Sequence, residues 1–532
     1  MGKIGLSEDI KHMEDKYYLY VSYAKDLQKK KERLLYRFFE IFPGIFAWLT
    51  IIGAIILSYF RPFSVAIFII VFALYWLAKA IYFSFYLRTS YKKLKENQKI
   101  NWLERLEKLS PKKYTLPLQN WKEVYHLIVL PMYKEPEEIV RESLFGLLGA
   151  NYPKDKFIVI LSLEERAGKH SEKIKKIFEK EFENKFFKFL ITVHPKDIKG
   201  EIPAKSSNET WAAKKGKEII DQLNIPYENV IYSSFDIDTV VFPEYFACLT
   251  YKYLTTDNPA QASFQPIPLF LNNIWQVPAV SRVFSLSTSF WHIINQEREE
   301  KLITFSSHSM SFKALVNVGF KKPDVVSDDS RIFWQCFLKY DGNYKVVPLY
   351  YPISMDANAS KNLFSTFLNI YKQQKRWAYG VGDIAYFLFG FLKNKKISKR
   401  KKISYAIELI EGHWNWACGP ILLLLLGWLP WVLGGWEFSQ TLLAYNLPRV
   451  VGRILTVAMI GLFSSAYYSF YILPSKPRTK KGILKKIKII FEWLLLPFSM
   501  FVFTSLPALD AQTRWIFGRY MNFWVTPKFR KH

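Results

Sequence analysis

Apolar and polar positions divide the chain into segments of distinct period. Residues 41–60 and 63–87 are two apolar runs, each about the twenty residues that an α-helix needs to cross a bilayer, with Arg61-Pro62 as the tight turn between them. Lys79 interrupts the second run near its end, where a long side chain reaches back to the headgroups. Ahead of this pair, KDLQKKKERLLYRFF (25–39) predicts a basic amphipathic helix on the inner leaflet. From about 114 to 352 the period changes. HLIVLP (126–131), FIVILSL (157–163), VIYSSF (230–235), QASFQP (261–266), LITFSSHSMSF (302–312) and YKVVPLYY (344–351) predict short strands, and 138–150 has helical spacing. Strands alternating with helices predict an α/β domain on a parallel sheet.

After 360, KNLFSTFLNIYKQQKRWAYGVGDIAYFLFGFL carries apolar residues on one face and charges opposite, which predicts interfacial helices. Runs 414–436 and 454–473 predict two more spans. Residues 489–509 are apolar enough to cross, but a crossing there would strand Arg514, Arg519, Lys528, Arg530 and Lys531 outside, and Pro497 and Pro507 break the run. We therefore expect four full spans, with five or six left open, and a broken, re-entrant or interfacial segment that returns the tail to the cytoplasm. The division is 1–40 amphipathic segment, 41–87 two spans, 110–355 α/β domain, 356–410 interfacial helices, 411–473 two spans, 474–522 basic loop and proline-broken segment, and 523–532 tail.

Composition supports a membrane protein: of 532 residues, 50% are hydrophobic and 17% aromatic. The formal charge of +28 would suit nucleic acid, but the basic residues flank apolar runs, as in the seven Lys/Arg between Pro474 and Lys488, and no separate basic face interleaved with aromatics stands out. Both ends of the first hairpin are basic, which places them and the α/β domain in the cytoplasm, against the plasma membrane. Cys248, Cys336 and Cys418 are scattered, without the spacing of a disulfide scaffold or zinc site. No cleavable signal peptide is expected from the polar first forty residues.

The candidate chemistry centres on VIYSSFDIDTVV (230–241). Alternate strand residues face one way, so Asp236 and Asp238 would share a side while Ile237 enters a core. Ligands bind beyond the carboxyl ends of open α/β sheets, and a hard divalent cation there takes oxygen ligands and bridges to a diphosphate. An acidic pair lies further on in VSDDS (326–330), where Asp is also favoured simply as a helix start, and QQKRW (373–377) lies on an amphipathic stretch.

These motifs in this order resemble the membrane-embedded family 2 glycosyltransferases, the processive polysaccharide synthases, and bacterial cellulose synthase in particular. LPMYKEP (130–136) resembles the P-x-Y-N-E turn, with Lys134 in place of Asn and Glu135 as its acid; Glu164-Glu165 stand where the family has a base-holding Asp; AKSSN (204–208) resembles the K-A-G-N turn. The resemblance implies a GT-A-type, Rossmann-like domain inserted between transmembrane helices, and an inverting transfer of sugar from a nucleoside-diphosphate donor, with uridine favoured and guanosine left open by Glu164. It implies that Asp238 and Asp236 hold Mg2+ or Mn2+, that Asp236 also meets the ribose, that Lys205 and Arg376 meet the diphosphate, that Asp329 is the base preceded by Asp328, and that Gln373, Arg376 and Trp377 form Q-x-x-R-W. FWVTPK (523–528) is similar to the F-x-V-T-x-K gating loop of cellulose synthase, which implies that Thr526 and Lys528 reach the diphosphate. FSSHS (305–309) departs from the F-C-G-[ST] acceptor loop, so the acceptor stays open between a growing glycan and a lipid, as in ceramide glucosyltransferase-like members; a non-catalytic membrane scaffold or transporter is the remaining alternative. Oligomeric state is not legible.

Overall fold

The computed structural model describes residues 16–424, 426–474, 487–488 and 491–530, so most of the basic loop at 474–488 and the start of the N-terminal segment lie outside the described residues. Helix α1 spans Lys30–Phe60 and α2 spans Pro62–Lys99, with Arg61 as the hinge and Pro62 at a first-turn position that needs no N–H donor. The amphipathic helix expected at 25–39 is not a separate element. Ala24–Asp26 is a 3-10 turn, and from Lys30 the polar stretch runs unbroken into the apolar one. Its anchor is Glu40, 3% exposed, which accepts from the Ala24 N–H at 3.0 Å and from Arg37 at 2.8 Å.

The α/β domain is built on a mixed sheet of eight strands among the described residues: β1 Tyr125–Pro131, β2 Phe157–Glu164, β3 Lys188–His194, β4 Val230–Ser234, β5 Val240–Val241, β6 Ala262–Leu269, β7 Ser309–Ser311 and β8 Lys345–Ser354, in the order β3-β2-β1-β4-β7-β6-β8-β5. The first four in that order are parallel; β7 runs antiparallel to β4 and β6, and β5 antiparallel to β8. Two expectations change here. The parallel sheet is mixed, and only Ser309–Ser311 of the strand expected at 302–312 pairs. Residues just before it are claimed by side chains instead: Phe305 N–H donates to Gln265 at 2.8 Å, Thr304 donates to the Asp329 carbonyl at 2.6 Å, and Ser307 takes a positive φ of 60°. Strand β3 was not expected, and its half-exposed edge position explains its faint pattern.

Register sets the site. Val129 of β1 lies opposite both Ile160 of β2 and Ser234 of β4, so the three strands end together and release Glu135, Glu164 and Asp236 on one edge. Helix α3, Lys205–Gln222, crosses the sheet closely enough that a Cβ on Gly216 would sit 2.7 Å from Leu127, which fixes its first turn beside that edge. Helix α4, Asp328–Lys339, starts on the same edge with both aspartates in its first turn, where they complement the helix dipole. Helix α5, Leu363–Ala378, is capped by Asn362, whose side chain accepts from Ser365 N–H at 2.8 Å, and it buries Ile370, Gln373 and Gln374 toward the domain.

Among the described residues, four helices are long and apolar enough to cross a membrane: Lys30–Phe60, Pro62–Lys99, Leu442–Ile472 and Trp493–Ile516. Three of them correspond to the spans expected at 41–60, 63–87 and 454–473; the span expected at 414–436 is not among them, and the fourth is Trp493–Ile516 instead. The stretch 414–436 is divided between α6, Lys399–Leu424, a 3-10 turn at Leu426–Trp428 and two five-residue helices at Leu429–Leu433 and Gly435–Ser439. Gly427, Pro430 and Gly435, the last at φ 72°, stop the helix from propagating. It still climbs beside the first hairpin, with Cys418 against the Ala47 carbonyl at 3.6 Å and the Phe438 ring 5.1 Å from Phe63. The last long segment changes pitch at Phe501–Ser505, a π-helical turn between prolines that head the flanking helices. Both of its ends face the sheet side: Trp493 stacks 5.7 Å from Phe290 of the α/β domain, and the Ile516 carbonyl accepts from Arg37 at 2.7 Å. The chain beyond it therefore re-enters the sheet edge.

Candidate functional site

Past β4 the backbone turns, and Asp236 and Asp238 separate into two environments. Asp236 accepts from Lys205 at 2.7 Å through one oxygen and from Ser306 through the other. Asp238 is 0% exposed; one oxygen accepts from the Asp356 N–H at 2.9 Å and the Lys528 ammonium at 2.6 Å, while Oδ1 has no partner among the described residues. An anionic oxygen buried without a donor is costly, and a hard cation satisfies it.

Lys205 continues the network from Asp236 to Asp329 at 3.3 Å and to Glu209 at 3.6 Å, one helical turn along α3. Behind Asp329 lies Lys321, 2% exposed, whose ammonium is 2.6 Å from Glu209, 3.0 Å from Asp328, 2.9 Å from Asp329 and 2.9 Å from the Ser234 hydroxyl. Glu209, Asp328 and Asp329 are close enough together to hold a metal ion, but the lysine stands among their oxygens. Burial would raise the Asp329 carboxyl; Lys205 and Lys321 outweigh it and hold it well below the usual range. Asp328 goes the other way, pushed up to about 7 by burial and by Asp329, against the pull of Lys321. Burial opposes charge on Lys205 as well, yet Asp236, Asp329 and Glu209 keep it firmly protonated.

The tail forms the opposite wall. Lys528 sits on Asp238, Thr526 is 8% exposed with its hydroxyl unpartnered among the described residues, and Arg530 forks onto Asp356 at 2.6 and 3.1 Å while also touching Glu142. Arg376 of α5 packs its guanidinium 4.6 Å from the Phe523 ring and leaves Nε buried and unpartnered; burial pulls its proton affinity down, only partly offset by Asp236, Asp328 and Asp329. Gln373 accepts from Asn358 at 3.1 Å, and Trp377 lines a narrow cavity with Phe284, Asp356 and Asn358.

The structure thus brings Lys205, Asp236, Asp328 and Asp329 into one bonded network and joins Asp238 to Lys528. Glu135 and Glu164 occupy the neighbouring strand ends but are already engaged. Glu135 accepts from Tyr133 N–H at 2.7 Å, and burial raises its carboxyl; Glu164 is gripped by Arg166, whose guanidinium lies 4.1 Å from the Tyr133 ring. Sequence reasoning missed Lys321, Glu209, Asp356 and Arg530. Glu209 could have been found, because it follows Lys205 by four residues, directly after AKSSN, the spacing of one helical turn. Lys321 carries no local signal in FKKPD.

No family model and no curated protein matches the chain. Structural neighbours are glycosyltransferases. A mannosyltransferase from Pyrobaculum calidifontis in complex with GDP-Man and Mn2+ is 11% identical with a TM-score of 0.42, covering 85% of this chain and 100% of its own. S. aureus TarS 1–349 with UDP-GlcNAc is 10% identical with a TM-score of 0.34, covering 75% and 93%. GalNAc-T7 with UDP, GalNAc and Mn2+ is 10% identical with a TM-score of 0.32, covering 55% and 58%. At these values the chemistry has to come from this chain's own residues.

Proposed function

We propose that the chain is an inverting membrane glycosyltransferase of the family 2 type, which takes a sugar from a nucleoside-diphosphate donor, favouring UDP, and adds it to a growing polysaccharide. The α/β domain lies on the cytoplasmic face of the plasma membrane. The observation that carries the reading is the pair of acids past β4: Asp236 linked through Lys205 to Asp329, and Asp238 reached by Lys528 from the chain's far end. A sheet edge, a helix start and a C-terminal tail converge there on one polar patch.

Asp238, through its open buried oxygen, and Asp236 would hold Mg2+ or Mn2+, and such a cation would offset charge on the departing diphosphate. Asp236 also orients the ribose. Lys205 and Arg376 bind the diphosphate, Arg376 through paired donors that suit phosphate oxygens. Asp329 takes the proton from the acceptor hydroxyl as that oxygen attacks the anomeric carbon in line, which inverts it. Asp328 and Gln373 support the acceptor side, and Trp377 offers a flat apolar floor to the sugar. Thr526 and Lys528 close over the donor, and Glu135 and Glu164 border the nucleotide.

A second reading, transfer of one sugar to a lipid acceptor, is favoured by the small membrane frame of four long apolar helices among the described residues. The test is to screen purified protein in lipid with nucleotide sugars, Mg2+ or Mn2+, and glycan and lipid acceptors, following diphosphate release and product length. Long products support the first reading and singly glycosylated lipid the second. Absence of release with every donor removes both.

A further inference from the structure

Lys321 is the most enclosed cation at the site, and neither the metal nor the donor uses it. Its backbone is forced inward by a turn in which Gly319 and Phe320 both take positive φ, 78° and 69°. A bulky aromatic in that region is strained, and the strain persists only where the surroundings over-determine the conformation. They do here. The Phe320 carbonyl accepts from Gln335 of α4 at 3.2 Å, and the Lys321 carbonyl accepts from Thr210 of α3 at 2.9 Å. The turn is thus bonded to both helices that present the acids, and the side chain projects between them.

Three carboxylates and a hydroxyl surround that ammonium, one more acceptor than its three protons can serve in full. Solvent cannot help at 2% exposure. The arrangement is that of a cation site whose cation is covalently part of the chain. Its anchoring side, Glu209 and Ser234, is itself closed, since Ser234 donates to Glu209 at 2.7 Å. Only Asp329, the one acid of the three with appreciable exposure, 21% against 0% for Glu209 and 3% for Asp328, turns outward to the sheet edge.

We infer that Lys321 is a positioning residue for transfer: its ammonium, seated on Glu209 and Ser234, occupies the cage that would otherwise attract a second divalent ion and holds Oδ1 of Asp329, so that Oδ2, which Lys205 touches at 3.3 Å, faces the acceptor hydroxyl once Lys205 turns to the diphosphate. The inference rests on Asp329 being the base, and it adds that catalysis requires an internal lysine cation which touches neither donor nor acceptor. Lys205, by contrast, faces the donor and exchanges partners when a diphosphate arrives.

Lys321→Ala would leave a void and three facing carboxylates, so folding and catalysis would fail together. The test therefore pairs Lys321→Met with Glu209→Gln, which conserves volume and net charge, in the full-length protein in lipid, using the nucleotide sugar and acceptor that support turnover. We expect a thermal midpoint within a few degrees of wild type, donor KM within about threefold and kcat lower by about 100-fold or more, the split that loss of base alignment produces. A kcat within about threefold of wild type overturns the inference, and so does a raised donor KM with kcat unchanged. Asp329→Asn, measured alongside, separates the two levels: full turnover in that variant removes the base assignment itself, whereas a silent Asp329→Asn beside an active double variant removes only the role of Lys321.

Discussion

Lys321 and Lys528 each place an ammonium on an acid of the same sheet edge, 2.9 Å from Asp329 and 2.6 Å from Asp238. The chemistry is the same, and the mechanical setting is opposite. Lys321 is held by a turn bonded to two helices, and its partners sit on a strand and those same helices. Lys528 comes from 523–530, a segment without secondary structure, tied down by Met521 N–H on the Tyr379 hydroxyl at 3.1 Å, Phe523 against Arg376, the Phe529 carbonyl accepting from Asn273 at 3.5 Å and Arg530 on Asp356. A buried ion pair on rigid elements cannot exchange partners without opening the core. One made by a tail can be displaced by anything that offers Asp238 a better cation. The difference divides the site into a permanent half, which sets geometry, and an exchangeable half, which on the proposed function would admit donor and metal.

The largest effects should come from the permanent half. Asp329→Asn should lower kcat by 10³-fold, within about tenfold either way, with donor affinity little changed, measured by steady-state diphosphate release and by nucleotide titration. Normal turnover would dismiss Asp329 as the base. Lys321→Met alone should destabilise the protein by about 3–5 kcal/mol, because Glu209, Asp328 and Asp329 are left facing one another without their cation. Denaturant or thermal unfolding in lipid reads this, and a loss below about 1 kcal/mol would mean that the rigid half relaxes as readily as the tail.

The exchangeable end should respond differently to the same substitution. Lys528→Met removes a cation from an acid that is 0% exposed, which on a rigid scaffold would cost as much as Lys321→Met. Here the tail can lift and let water or a divalent ion reach Asp238. Stability should therefore change by less than about 1 kcal/mol, and by less still with Mn2+ present, while donor KM rises about tenfold. If unfolding shifts as far as for Lys321→Met, the two halves are mechanically alike.

How much of this was legible in the sequence follows the same division. Asp236, Asp238 and Asp329 announce themselves because strand ends and helix starts have local signatures: an apolar run that stops, and acids in a first turn. FWVTPK was visible as a motif, and its arrival at Asp238 depends on the Pro-interrupted segment returning to the sheet side, as its contacts with Phe290 and Arg37 show. Lys321 was not legible, since a lysine in FKKPD reads as surface until a positive-φ turn buries it. The split of 414–436 was hidden for a related reason. Hydropathy sums apolar content, whereas Gly427, Pro430 and Gly435 decide whether that content forms one helix. Strand β7 shows the reverse: eleven residues looked extended and only three pair, because Thr304 and Ser307 are tied by side-chain hydrogen bonds and Phe312 already opens a helix.

The smallest effect should come from Arg530→Gln, and it sharpens the comparison most finely. Arg530 touches no donor-facing acid; it holds the tail two residues beyond Lys528 through a fork on Asp356 and a contact with Glu142, a residue whose side chain is 45% exposed. The Glu142 contact at the rim contributes about 0.5 kcal/mol, and the fork on Asp356, whose side chain is 0% exposed, is relieved as the tail lifts and water reaches that carboxyl, so global unfolding should barely move. Local opening should change more, because that same energy is a large share of what keeps an irregular segment docked. Hydrogen exchange at 523–530 should quicken about two- to threefold in the nucleotide-free protein and return to the wild-type rate once nucleotide and Mn2+ are bound, when new contacts outweigh the missing fork. Exchange that stays fast with nucleotide bound would mean that Arg530, rather than the donor, is what holds the tail against Asp238.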